Sequence, residues 1–212
     1  MLHDTHAHLD LLLKQLGELK DGQLEINPSI IDNLLVQHDF TIQPTTDTDN
    51  FLNSYELLKS FEKIFFLLGS HPEIVKPGFN LAEYLESQRE IVVKIESDTN
   101  MSQKVVGLGE SGLDYHYTQD PEIVRDQIAL FEEQLALGIK LKLPIVIHCR
   151  KAFKDLFNII KEYPEMHGHF LVHCFTDDID ALKQVLRFGG KVAFGGISTF
   201  KSANELQEAI KF

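Results

Sequence analysis

A (β/α) barrel, a parallel sheet rolled inside a layer of helices, is the fold this sequence predicts, and three observations predict it. Short apolar runs rich in β-branched and aromatic residues alternate with longer stretches of helical period. Nearly every apolar run ends in a residue able to do chemistry: His6 and His8, His71, Glu110, His148 and Arg150, and His173. No glycine-rich phosphate loop follows the first run, as it would near the switch point of an open doubly wound sheet. In a barrel such strand ends converge at one mouth, whereas in an open sheet they are strung along an edge.

Element by element, the candidate strands are Leu2–His6, Phe40–Thr45, Ile64–Ser70, Val105–Glu110, Ile145–His148, Phe170–His173 and Val192–Phe194. Among the helices the clearest is Pro121–Leu143. There Ile123, Ile128, Leu130, Phe131, Leu135, Leu137 and Ile139 make a broad apolar face, and Asp120 followed by Pro121 suits a helix start. Glu18–Asn33 and Thr45–Asn53 are polar and read as surface loops. No linker, repeat or low-complexity stretch divides the chain, so residues 1–212 form one domain in this reading.

The 212 residues suffice for one sizeable core, and the 43% hydrophobic and 25% charged shares are those of an ordinary globular protein without a bilayer-spanning run. Two cysteines and an N-terminus with neither a basic stretch nor a signal-type apolar core point to a reducing cytoplasmic setting. No membrane association and no protein partner are indicated. A net charge of −12 repels nucleic acid at long range, so a phosphate-bearing substrate needs a local positive site, which metal ions could supply.

Residues two apart in a strand share a face. Asp4, His6 and His8 therefore point together if their strand stays regular. His148 and Arg150 likewise oppose Cys149, and His173 opposes Cys174, which leaves both cysteines as small buried groups. Asp4 reads better as a hydrogen-bond partner of a loop or a ligand histidine than as a ligand. The remaining histidines, His3, His38, His116, His167 and His169, read as structural or exposed. A His-x-His pair, two further histidines and a glutamate exceed what one four-coordinate ion needs, and a carboxylate can bridge two ions as imidazole rarely does. Glu110 is then the bridging, catalytic acid of a two-metal hydrolytic site. Taken singly, each residue also has a structural explanation: Glu110 as a salt-bridged barrel acid, Arg150 and Lys201 as solvated charges.

The segments "DTHAHLD", "GSHPEIV", "GLGESGLDYH", "LPIVIHCRKAF", "LVHCFTDD" and "VAFGGISTFKSA" resemble, in order and spacing, the signature segments of the TatD-type metal-dependent deoxyribonucleases. The resemblance covers most of the chain and is loosest from Gly22 to Asn53. It implies a TIM-type barrel of the amidohydrolase kind that carries two divalent ions (magnesium, manganese, zinc or nickel) and hydrolyses phosphodiester bonds of DNA. By motif position, His6 and His8 hold one ion, Glu110 bridges, and His148 and His173 hold the other, while His71, Arg150 and Lys201 face the substrate phosphate.

The chain departs from this pattern at its end. Family members continue past "STFK" into a strand ending in Glu-Thr-Asp, whose aspartate ligates a metal, whereas this sequence stops at Phe212. The expectation is a barrel truncated before its last strand. A small-molecule amidohydrolase, such as a lactonase or deaminase, and a catalytically impaired binding protein are the competing readings. The cationic residues favour a phosphate substrate.

Overall fold

The computed structural model describes residues 2–16, 18–20, 23–25 and 28–212. Strand β1 (Leu2–Asp4) leads into α1 (Leu9–Leu16), a short antiparallel hairpin of β2 (Glu18–Lys20) and β3 (Gln23–Glu25), and α2 (Pro28–Leu35). Then come β4 (His38–Gln43), α3 (Thr48–Leu58), β5 (Ile64–Ser70), α4 (Leu81–Ser97), α5 (Thr99–Lys104), β6 (Val105–Asp114) and α6 (Pro121–Leu141). The chain continues through β7 (Ile145–Arg150), α7 (Phe153–Glu162), β8 (Phe170–Val172), α8 (Ile179–Arg187), β9 (Lys191–Val192) and α9 (Asn204–Lys211). Seven of these strands pair in parallel in the order β1-β4-β5-β6-β7-β8-β9 and curl into a half-barrel, a TIM-type barrel lacking a strand.

Apolar runs buried on both faces are what a parallel sheet beneath helices requires. Ile64, Phe66, Leu68, Leu108, Ile145, Ile147 and Val172 have no measurable exposure, and Phe51, Phe131, Leu135, Ile160 and Val185 from the helices pack into the same core. Helix α6 starts where the sequence predicts, with the Asp120 carboxylate accepting from the Glu122 amide and Pro121 at its first position. Both cysteines are free, Cys149 buried and Cys174 half-buried. No helix among the described residues is long and apolar enough to cross a membrane.

Four local expectations are corrected. Strand β1 stops at Asp4 because the Asp4 carboxylate accepts the His6 amide (3.0 Å), a local bond that competes with the ladder, so the two-residue pleat does not carry His6 and His8. Strand β6 runs on to Asp114, so Glu110 lies inside a strand and not at its end. Its extension is stitched to β7, with Gly112 opposite His148 and Asp114 opposite Arg150. Gly112 is needed there: at φ +145°, a Cβ would stand 2.0 Å from the His148 carbonyl oxygen. Within Glu18–Asn33, read as a loop, the chain forms the hairpin and the start of α2, and residues 21–22 and 26–27 lie outside the described residues. Thr45–Asn53, also read as a loop, contains the first half of α3, capped by the Asp47 carboxylate on the Asn50 amide (2.8 Å), with Phe51 fully buried beneath it.

Candidate metal centre

Glu110 is 4% exposed and sits at the mouth of the half-barrel with five imidazoles around its carboxylate. His6 Nε2 bonds Oε1, and His8 Nε2 lies 3.1 Å from the same oxygen. The other oxygen, Oε2, is 3.4 Å from His71 Nε2, 3.4 Å from His173 Nε2 and 3.8 Å from His148 Nδ1. The rings also touch one another: His6 stacks on His173 with centroids 4.0 Å apart, and His71 meets His148 edge-on at 4.4 Å. Burial alone pushes the Glu110 carboxyl up, but the bonds from His173, His6 and His8 outweigh it and hold it far below the ordinary carboxylate range.

Each segment that brings a side chain to this cluster is positioned by an identifiable local device. Thr45, fully buried, clamps β5 to β6: its carbonyl accepts the Glu110 amide (2.9 Å), and its hydroxyl donates to the Leu67 carbonyl (2.8 Å) and accepts from the Gly69 amide (3.0 Å). The turn carrying His6 and His8 is tied back by the Ala7 amide on the Ile42 carbonyl (3.0 Å). Just beyond it, Asp10, 3% exposed, accepts from Gln43 Nε2 (2.8 Å) and Asn50 Nδ2 (2.9 Å). His173 follows β8 immediately, its amide bonded to the Ile147 carbonyl (3.0 Å), which brings it beside His148.

Burial and bonding to Glu110 move the basicity of these rings in different directions. Burial pushes His71 down to about 4, with the neighbouring His148 acting in the same direction. Its Nδ1 accepts the Glu73 amide (3.2 Å), so the ring proton is on Nε2, facing Glu110. His71 therefore enters the cluster as a hydrogen-bond donor. Burial likewise lowers His6, although Glu110 partly offsets it, whereas the bond to Glu110 raises His8. His148 turns Nε2 to the buried Asp114, 2.9 Å from Oδ2.

The residues fit a divalent ion on two grounds. Five imidazoles converge on one carboxylate, and His6 and His8 share a single oxygen of it, which is more ring nitrogens than Glu110 alone can serve by hydrogen bonds. Ligand atoms of His6, Glu110 and His173 lie within 4.8 Å of one another; so do those of His71, Glu110 and His148, but there His71 offers a proton and not a lone pair. An imidazole and carboxylate donor set suits zinc, manganese or nickel.

Of the residues singled out in the sequence, the structure brings together His6, His8, His71, Glu110, His148 and His173. Arg150 stands at the rim over the Tyr117 ring, 5.3 Å from its centroid, and donates to the Tyr117 hydroxyl at 3.2 Å. Lys201 is exposed in the turn after the 3-10 helix Gly196–Thr199 and joins none of the contacts around Glu110. Sequence reasoning missed Asp10, Gln43, Thr45 and Asp114. For Asp114 the signal was at hand, a second acid four residues after Glu110 on one strand.

The family model described as TatD related DNase matches residues 3–212. An uncharacterized metal-dependent hydrolase of Buchnera aphidicola subsp. Acyrthosiphon pisum is 31% identical over 212 residues, covering 99% of this chain and 75% of that protein. The deoxyribonuclease Tat-D of Schizosaccharomyces pombe is 35% identical over 160 residues, 71% of this chain and 49% of its own length. Among solved structures, the Escherichia coli TatD homolog YJJV superposes with a TM-score of 0.75 at 25% identity, covering 99% of this chain and 73% of that one.

Proposed function

The chain belongs to the family of TatD-related, metal-dependent hydrolases, and from that premise we propose that it hydrolyses phosphodiester bonds of DNA with two divalent ions held by His6, His8, Glu110, His148 and His173. The observation that carries the reading is the convergence of five imidazoles on one buried carboxylate, with a guanidinium at the rim. The deoxyribonuclease activity named for the fission yeast relative points the same way.

Bound there, the ions would supply an activated water and a Lewis acid for the phosphate oxygens. This chain's own residues do the rest. Glu110, kept ionised by its neighbours, offers one oxygen to each side of the site and so sets the spacing across it. His71 presents an Nε2 proton in a pocket that holds it neutral, which lets it donate to a phosphate oxygen without competing for metal. Arg150, steadied by Tyr117, places positive charge where the phosphodiester approaches and where charge grows as the bond to the leaving oxygen breaks. Lys201 is a further cation for the same substrate, at longer range.

The test is the purified 212-residue chain, stripped with chelator and assayed on DNA and on bis(p-nitrophenyl) phosphate with zinc, manganese, magnesium or nickel added back. Phosphodiester hydrolysis that depends on the added ion is expected. Turnover confined to lactone or amide panels would replace the nuclease reading with a small-molecule amidohydrolase, and no turnover in metal-loaded protein would favour a binding role.

A further inference from the structure

Four of the five histidines around Glu110 face it with Nε2, and His148 alone faces it with Nδ1. What turns that ring is on the neighbouring strand. The Asp114 carboxylate is 2% exposed, its Oδ2 is 2.9 Å from His148 Nε2, and its Oδ1 accepts the His116 amide at 2.8 Å. Asp114 is also fixed through its backbone, because the buried side chain of Gln127 on α6 accepts from its amide (3.0 Å) and donates to its carbonyl (3.2 Å).

We infer that Asp114 is a positioning residue that sets the tautomer and orientation of His148. An ionised carboxylate only accepts hydrogen bonds, so the proton of a neutral His148 must be on Nε2, and the lone pair is left on Nδ1, the atom that faces Glu110. Both carboxylate oxygens are engaged and both backbone groups are pinned, so Asp114 cannot swing to serve the other tautomer. The glycine at position 112 contributes by letting β6 approach the His148 backbone closely. The consequence for metal binding rests on the proposed function, whereas the tautomer does not.

Asp114→Asn tests the inference with almost no change of shape. If the amide oxygen keeps the His116 amide, the new NH2 group faces Nε2, and a donor meets a donor unless the imidazole proton moves to Nδ1, where it removes the lone pair. The experiment uses the full chain, ¹⁵N-labelled at histidine, freed of metal and held near pH 7.5. Long-range ¹H–¹⁵N spectra give the tautomers, and His148→Gln assigns the His148 signals. Expected are an Nε2–H tautomer for His148 in the parent, loss of that signature in Asp114→Asn with unchanged far-UV circular dichroism, and zinc affinity lower by roughly 10–100-fold, as for removal of a carboxylate behind a ligand histidine. An Nδ1–H tautomer in the parent, or the parent's tautomer retained in Asp114→Asn, overturns the inference. If Asp114→Asn fails to fold, the parent spectrum still decides the tautomer, and Gln127→Met, which frees the Asp114 backbone, should lower zinc affinity several-fold, parental affinity counting against it. A parent that binds no zinc sinks the metal reading alone and leaves the tautomer to judge Asp114.

Discussion

The two oxygens of Glu110 face two differently built halves of the same site. Oε1 meets His6 and His8, which sit in a turn after a three-residue strand and are held through Asp4, Ala7 and the buried Asp10–Gln43–Asn50 network. Oε2 meets His71, His148 and His173, which sit on or just past the ends of β5, β7 and β8 and are held by strand register and by Asp114. On one side side-chain hydrogen bonds do the positioning, on the other the ladder does. Changes in buried polar side chains should therefore displace the turn that carries His6 and His8 in the first half, whereas in the second, as at Asp114, they should reorient a ring without moving its strand.

Removing the group both halves share gives the largest effect. Glu110→Ala should abolish hydrolysis and cost more bound metal than any single histidine change, measured by elemental analysis after dialysis; parental metal content in that variant would remove the bridging role. Next, Asp10→Ala should lower unfolding free energy by about 3 kcal/mol, since it strips a buried charged acceptor from Gln43 and Asn50. It should also weaken metal binding on the His6–His8 side. Denaturant titration with parallel zinc titration checks both, and an unchanged midpoint would mean that the turn is held by its backbone alone.

The third prediction concerns pH on the Oε2 side. His71 is pushed down to about 4 in the fold against 6.5 when unfolded, so the unfolded chain takes up its proton first. The contribution of His71 is full above pH 6.5, falls as pH drops through that window and is exhausted below about 4. By pH 5 the metal-free protein should have lost about 2 kcal/mol on this account, and His71→Gln should flatten the stability profile by that amount. Parallel profiles for parent and variant would show that His71 is not held neutral. The smallest effect belongs to the rim. Arg150→Ala should slow DNA cleavage by roughly 10-fold, about 1.4 kcal/mol, with metal content unchanged; loss of metal as well would make Arg150 part of the scaffold.

The same division governs what could be read from the sequence. His148, Arg150, Cys149 and Ile145 lie on a regular strand, and period two alone places them on their faces. Ile64–Ser70 matches β5 residue for residue, because an apolar run buried on both faces has sharp ends. His6 and His8 were legible as ligand-type residues but not as a turn, since the Asx bond from Asp4 that ends β1 competes with a strand on nearly equal terms. Thr45, Asp10 and Gln43 were illegible: a single polar residue in or beside an apolar run carries no sign that it will be buried in a hydrogen-bond network, and their partners are remote in the chain. Asp114 was lost for the opposite reason, hidden in a segment whose glutamate took all the meaning.

The stacking of His6 on His173 bears on how the protein is made. The first of the cluster's imidazoles leaves the ribosome long before the last, and the strands between them must all pair before the two rings can meet. Contacts of such long separation close late in folding. A nascent chain thus exposes His6 and His8 with only the neighbouring Asp4 and Asp10 carboxylates beside them, and the full set of imidazoles around Glu110 comes into being only after β8 has docked. The cell's metal pool is then sampled by a finished sheet, which favours loading by whichever ion suits the assembled geometry over whichever ion first meets a bare His-x-His.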